Sequence, residues 1–331
     1  MRWAIYGASN IAANHILPVL RTLSQTPAIV ISSDLDRGRK YAADNGIETF
    51  TTDPKRVLNA DVQAAYIGSR NDCHFEHTMA AIGAGLHVLC EKPMALSRKA
   101  AEQMVEAADV AGVVLAVNHH LRNNPVHIAA RELIRADTIG NLLAVHVSHG
   151  ILLRQELRGW RLQHGGGGVT LDLGVHDIDL VRFVTGLEPR IVTAVAAFQG
   201  MSAGPPDAVL SNAVLGESTL LSIYNAYTSP HSPTGIELHG TNGSLIGRDC
   251  LLPRPGGTLQ LVVDGDRRDI DLTSTDNLYT PNVAALINAA AGHGTPVASG
   301  DDGLQSMAFA LKVEEAVATS LIAANDQITS A

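Results

Sequence analysis

Within residues 165–184 a nearly all-apolar run carries Asp172, His176 and Asp179 at i, i+4 and i+7. In a helix that spacing stacks the three on one face. A helix apolar almost all round is a buried helix, and polar groups inside it need partners. Asp172 and His176 can form such a pair: the carboxylate orients the imidazole, holds its tautomer and raises its pKa, as an acid/base histidine requires. A buried Asp–His pair that only staples the helix fits this stretch equally well. Earlier in the chain, the strand-like run 87–90 ends in Cys90-Glu91-Lys92-Pro93. A lysine at the mouth of a sheet, set between a carboxylate and a proline, can point its ammonium at a carbonyl oxygen. A surface lysine in a turn is the plainer reading.

The N-terminal elements must position a nucleotide for such chemistry. Residues 2–6 read as a buried strand, followed by Gly7-Ala8-Ser9-Asn10-Ile11-Ala12. This is a strand–turn–helix opening with G-x-S-x-x-A in place of G-x-G-x-x-G. Gly7 makes the tight turn, small Ser9 admits a pyrophosphate and Ala12 lets the helix pack on the strand. The helix N-terminus supplies the affinity for anions. Further strands are expected at 28–33, 64–67, 87–90 and 113–117, with helices near 79–84 and 97–111. This alternation means α/β, a doubly wound parallel sheet of the Rossmann type.

The end of the second strand sets the cofactor. About 20 residues past such a turn, an NAD enzyme usually shows an acid for the ribose hydroxyls. Here Ser32 and Ser33 stand in that place, with Asp34, Arg37, Arg39 and Lys40 beyond them. Hydroxyls with the Arg37 guanidinium suit a 2′-phosphate, so NADP(H) is expected. Asp34 keeps NAD(H) as the alternative. After the strand at 64–67, Ser69, Arg70, Asn71 and His74 are expected along the nicotinamide side, although each also fits a plain loop. His74, Glu76 and His77 match no zinc spacing, and no metal is expected. Asn118 and His120 follow the last strand of this domain, where either could meet cofactor or substrate.

The chain has 331 residues, which suits two domains: residues 1–118 for the nucleotide and 119–331 for substrate and oligomerisation. A formal charge of −9 argues against nucleic acid and anionic membrane as partners. Cys73, Cys90 and Cys250 are scattered, without CxxC, and fit reduced thiols. No secretory signal pattern opens the chain and no run is long enough to span a bilayer, so a cytoplasmic protein is expected. In the second domain a helix is expected at 124–136, a strand at 142–148 and a polar loop at 154–164. That loop holds Trp160-Arg161, an apolar face and a fork suited to a sugar, or else a satellite core residue beside a surface cation. Short strands between 190 and 271 suggest an α+β domain with an open, mainly antiparallel sheet. Two helices close the chain, near 281–292 and 302–323.

With G-x-S-x-x-A, C-E-K-P and D-x-x-x-H in this order, the chain resembles the glucose–fructose oxidoreductase/inositol dehydrogenase family over its whole length. GASNIA, HVLCEKP, NHHLRN, GWRL, GGGVTLDLGVHDIDLVRFV, GTNGSLIGR and NLY carry the resemblance. It implies that Lys92 and His176 are catalytic, with Asp172 beside them. It places Trp160 and Arg161 near substrate or cofactor and Tyr279 near the cofactor; apart from the resemblance, Glu91 is expected at the cofactor and His120 at the substrate. It also implies a cis Lys92–Pro93 bond and a subunit contact on the open sheet face. The loop Ser69–His74 and the segment Ile151–Leu157 depart from the pattern of reductases in the family, which leaves the sugar open. The expected activity is NADPH-dependent reduction of a carbohydrate-type ketone or osone. An NAD-dependent inositol or sugar dehydrogenase is the alternative enzyme. A non-catalytic cofactor sensor is a further alternative, though it would have no use for Lys92, Asp172 and His176 together.

Overall fold

Runs such as Arg2–Tyr6 and Ala64–Ile67 are almost wholly buried, as strands covered on both faces must be. The computed structural model describes residues 1–163 and 166–329. His164 and Gly165, expected at the loop end and in the glycine run, lie outside the described residues. The first segment forms β1 (Arg2–Tyr6), α1 (Leu17–Thr22), β2 (Thr26–Ile31), α2 (Leu35–Asp44), β3 (Thr49–Thr51) and β4 (Ala64–Ile67). It continues with α3 (His74–Gly83), β5 (His87–Cys90), α4 (Arg98–Ala111) and β6 (Leu115–Val117). Then come α5 (Pro125–Arg135), β7 (Leu142–Gly150), α6 (Val175–Thr185), β8 (Pro189–Ala197), β9 (Ala208–Leu215) and β10 (Thr219–Ala226). The remainder is β11 (Gly235–Gly240), β12 (Ser244–Arg248), β13 (Thr258–Val263), β14 (Asp266–Asp269), α7 (Thr280–Ala290) and α8 (Gly300–Thr329).

The chain divides into two compact units. One comprises Met1–His119 with Tyr279–Gln305, the other His120–Leu278 with Ser306–Ala331. Residues 279–305 therefore belong with the nucleotide-type unit, whereas the sequence reading kept them in the second domain. Packing explains the difference. The Val117 amide donates to the Ala298 carbonyl at 3.1 Å, α7 packs against β5, and Asn282 donates to Asn118 at 2.6 Å.

In the first unit the strand order is β3-β2-β1-β4-β5-β6, parallel throughout. The order reverses between β1 and β4, where doubly wound sheets open a crevice for ligands. β3 was not foreseen, since three half-covered residues carry no alternation to read. The strand expected at 113–117 starts only at Leu115. The Val113 amide caps α4 by donating to the Ala108 carbonyl, and the Val114 amide donates to His87 Nδ1.

In the second unit the order is β14-β13-β12-β11-β7-β10-β9-β8. Every pair is antiparallel except β7 with β10, which run parallel. β10 alternates buried with less buried residues, Leu221 and Ile223 inward against Leu220, Ser222 and Tyr224 outward. Leu210 and Val195, opposite each other in register, also face outward and are exposed.

The central helix departs from a uniform α-helix. Thr170–Gly174 forms a π-helical turn ahead of α6, a wider turn frequent at functional sites. Asp172, inside it, is thereby out of the regular α-helical stacking expected with His176 and Asp179. His176, Asp177 and Asp179 of α6 are buried, and both carboxylates are met by donors. Arg122 grips Asp179 through two bonds, at 2.8 and 2.7 Å, and Ser306 Oγ adds a third at 3.1 Å. Among the described residues no helix is long and apolar enough to cross a membrane.

Candidate active site

The turn after β1 is built on close backbone approach. Gly7 has φ +103°, and a Cβ there would lie 2.7 Å from Ser69 Cα and N and 2.8 Å from Gly68 C. Only glycine fits. Ser9 Oγ accepts from the Ala12 amide at 3.3 Å, and the Tyr41 hydroxyl ties down the Ser9 carbonyl at 2.9 Å. Ala12 is buried, while Ala8 is half-covered and Asn10 and Ile11 are exposed at the helix start. A turn of small residues at a helix N-terminus fits a pyrophosphate.

Beyond the end of β2, Arg37 donates to Ser32 Oγ at 3.3 Å and to Ser33 Oγ at 2.6 Å. Asp34 is the N-cap of α2, and its carboxylate accepts the Arg37 amide at 2.8 Å. The Asp34 carboxylate, the candidate ribose ligand, is thus engaged with its own helix.

On the β4 and β5 side, His74 is buried with Nδ1 2.8 Å from the Pro93 carbonyl and Nε2 3.0 Å from the Ser69 carbonyl. His77 Nδ1 meets Ser69 Oγ at 2.9 Å. Both ring nitrogens of His74 therefore face backbone, which makes it a tie between two loops. Arg70 pairs with Asp72 at 2.8 Å on the exposed surface, and Asn71 opens a short 3₁₀ turn. The Lys92–Pro93 bond is cis, as the family resemblance implies. Just before it, Glu91 accepts from the Tyr66 hydroxyl at 2.8 Å and from Asn118 Nδ2 at 2.6 Å. Tyr279 stacks on His15 with ring centroids 4.5 Å apart. Sequence reasoning missed Tyr66 and Asn282. Tyr66 reads as an ordinary strand residue, and Asn282 is far from Asn118 along the chain.

In the second unit, His176 sits in the first turn of α6 with the His120 ring edge-on at 4.9 Å. Asp172 Oδ2 accepts from the Tyr227 hydroxyl at 2.9 Å and lies 3.6 Å from Arg161 Nε. Arg161 in turn stacks over Trp160, 4.7 Å from the ring centroid. Next to His176, fully buried Asp177 accepts from His149 Nδ1 at 2.8 Å and Asn225 Nδ2 at 2.6 Å. Tyr227, Asn225 and His149 were not foreseen. They lie on strands remote in sequence, and no local spacing marks them. Among the described residues, no group of three metal-ligating side chains is placed to hold a metal ion.

Residues 1–119 match a family model described as "Oxidoreductase family, NAD-binding Rossmann fold", and residues 127–246 match the GFO/IDH/MocA C-terminal domain. The chain is 40% identical over 322 residues to 1,5-anhydro-D-fructose reductase of Ensifer adhaerens, covering 96% of each. It is 26% identical to D-xylose 1-dehydrogenase [NADP(+)] of Haloarcula marismortui, over 84% of this chain and 80% of that one. Among solved structures, aldose-aldose oxidoreductase from Caulobacter crescentus superposes with a TM-score of 0.88 at 23% identity, covering 97% of this chain and 98% of that one.

The Glu91 cluster yields a pH dependence. Burial raises the Glu91 pKa above its ordinary 4.5, against the lowering pull of Asn118, Tyr66 and Lys92. With the folded pKa raised, this group's contribution to stability is present below 4.5 and is lost as pH rises through the folded value. Glu91→Gln should flatten that loss, and thermal unfolding followed from about pH 4 to about pH 8 will read it. A pH–stability curve parallel to that of the parent protein would contradict the assignment.

Proposed function

Since the chain belongs to the GFO/IDH/MocA family of oxidoreductases, we propose that it reduces a carbohydrate-type ketone or osone, resembling 1,5-anhydro-D-fructose, with NADPH. The observation that carries this reading is the presence of Lys92, Asp172 and His176 in a chain 40% identical, over 96% of its length, to 1,5-anhydro-D-fructose reductase. NADPH, when bound, supplies the hydride that reaches the carbonyl carbon. The protein's own residues hold the cofactor and handle the charge and the proton. Gly7 through Ala12 cradle the pyrophosphate, and Ser32, Ser33 and Arg37 receive the 2′-phosphate. Engagement of Asp34 as a helix cap supports NADP(H) over NAD(H), because that carboxylate is turned to the Arg37 amide.

As the carbonyl is reduced, negative charge grows on its oxygen. By the family resemblance, Lys92 and His176 are the residues that donate to that oxygen. His176 delivers the proton and Asp172 holds its tautomer. Trp160 and Arg161 meet the sugar with a flat apolar face and a fork of donors. Glu91, fixed by Tyr66 and Asn118, steadies the turn that carries Lys92. The outward face of the second sheet, with Leu220, Leu210 and Val195 exposed, pairs two copies of the chain.

Three measurements test this reading. Arg37→Ala removes a charge-assisted phosphate contact worth about 1.5–3 kcal/mol. It should therefore raise KM for NADPH and leave NADH kinetics nearly unchanged, and equal efficiency of the parent protein with both cofactors would refute the preference. Positioned proton transfer contributes about 10²–10⁴-fold, so His176→Ala should lower kcat with 1,5-anhydro-D-fructose by that order while cofactor affinity is kept. Near-normal turnover of this variant at saturating ketone would remove the acid role from His176. Light scattering at micromolar concentration should report a dimer or larger assembly, and a monomer would rule out the sheet contact.

A further inference from the structure

The end of β10 and the residue after it reach the helix on either side of His176. Asn225 and Tyr227 stand two residues apart, so they project from the same face of the strand path. Asn225 holds Asp177, the residue after His176, at 2.6 Å. Tyr227 holds Asp172, in the π-helical turn before His176, at 2.9 Å. Gly174 lies between these anchors, and a Cβ there would come within 2.9 Å of Asn225 Oδ1. The close approach fixes how deeply the turn seats on the strand.

Tyr227 is fully buried, and its hydroxyl also lies 3.2 Å from the Gly168 carbonyl. Burial, and next the facing Asp172 carboxylate, push the phenol well above its ordinary range, so the hydroxyl keeps its proton and donates. A hydroxyl carries one proton, and two acceptors compete for it. The shorter contact, to a carboxylate, is the stronger. We propose that Tyr227 is a positioning residue for the reaction: its hydroxyl sets the orientation and ionisation of Asp172, and through Asp172 the imidazole of His176. This rests on the acid role given above to His176.

The charged and titratable groups that face that carboxylate include Arg161, whose Nε is 3.6 Å away, and Tyr227; His176 lies four residues on in the chain, with the His120 ring beside it. Arg161 is partly exposed and screened, whereas Tyr227 is dry. Donation to the charged form of an acid favours that form. Loss of the hydroxyl therefore makes the carboxylate easier to protonate, and its limb of the pH–rate profile moves to higher pH.

The test compares Tyr227→Phe with the parent enzyme, using NADPH and 1,5-anhydro-D-fructose as probe. The expected result is kcat lower by roughly 10- to 100-fold, KM for the ketone and affinity for NADPH unchanged, and the carboxylate limb displaced upward in pH. A kcat within about two-fold of the parent, or a lower kcat with an unmoved limb, would overturn the inference. Replacement of Tyr227 by 3-fluorotyrosine keeps the packing and makes a stronger donor. It should retain turnover and move the same limb downward, and it decides the matter should Tyr227→Phe fail to fold. His176→Ala in the same assay separates the two levels. If His176→Ala retains turnover, the acid role itself falls; if His176→Ala is inactive while Tyr227→Phe behaves as the parent, only the positioning role falls.

Discussion

A carboxylate taken out of water costs several kcal/mol unless donors meet it, and the second unit meets that demand in full at Asp177 and Asp179 and in part at half-buried Asp172. Asp172, Asp177 and Asp179 fall within eight residues of one helical stretch. Each is answered from a different place: Asp172 by Tyr227 and Arg161, Asp177 by His149 and Asn225, Asp179 by Arg122 and Ser306. Because every donor has one geometry that satisfies its acid, the helix has one way to sit against β7 and β10. The imidazole of His176, carried between Asp172 and Asp177, inherits that fixity. Preorganisation of this kind is what a proton donor needs at the moment charge develops on a substrate.

The first unit depends on a different constraint, the absence of side chains where two loops touch. Gly7 brings the end of β1 within van der Waals distance of the Gly68–Ser69 backbone at the point where the strand order reverses. His74 lies between the Ser69 and Pro93 carbonyls, within hydrogen-bond distance of each and able as a neutral ring to donate to one of them, so the loop after β4 and the turn holding Lys92 pack against one ring. A nucleotide-binding surface and the catalytic lysine proposed beside it are thus parts of one rigid backbone arrangement. The serines and Arg37 stand at the far end of that surface, already bonded to one another. Little side-chain freedom would be left to lose on binding the proposed 2′-phosphate.

Much of this architecture was legible in the residues. Apolar runs at 2–6, 64–67 and 87–90 announced buried parallel strands because a strand covered on both faces has no polar side to alternate. Gly7, Ser9 and Ala12 announced the nucleotide turn, since each answers a separate steric demand of that turn. The short strands between 190 and 271 announced an open, mainly antiparallel sheet. Helix ends were less legible. Asp34 was weighed as a ribose ligand, yet it is equally a capping residue, and local bonding to the Arg37 amide took it.

By itself the sequence determined what depends on neighbours along the chain: strand and helix periods, the glycine turn, and the placing of an acid four residues before a histidine. The tertiary structure alone decided the partners of the buried polar groups. Tyr227 meets Asp172, Asn282 meets Asn118 and Arg122 meets Asp179 across long stretches of chain. It also decided that residues 279–305 join the first unit and that one strand pair of the second sheet runs parallel. The physical reason is the range of the forces involved. Backbone conformation answers to sterics within a few residues, whereas burial and hydrogen-bond satisfaction are settled only when distant segments share one interior.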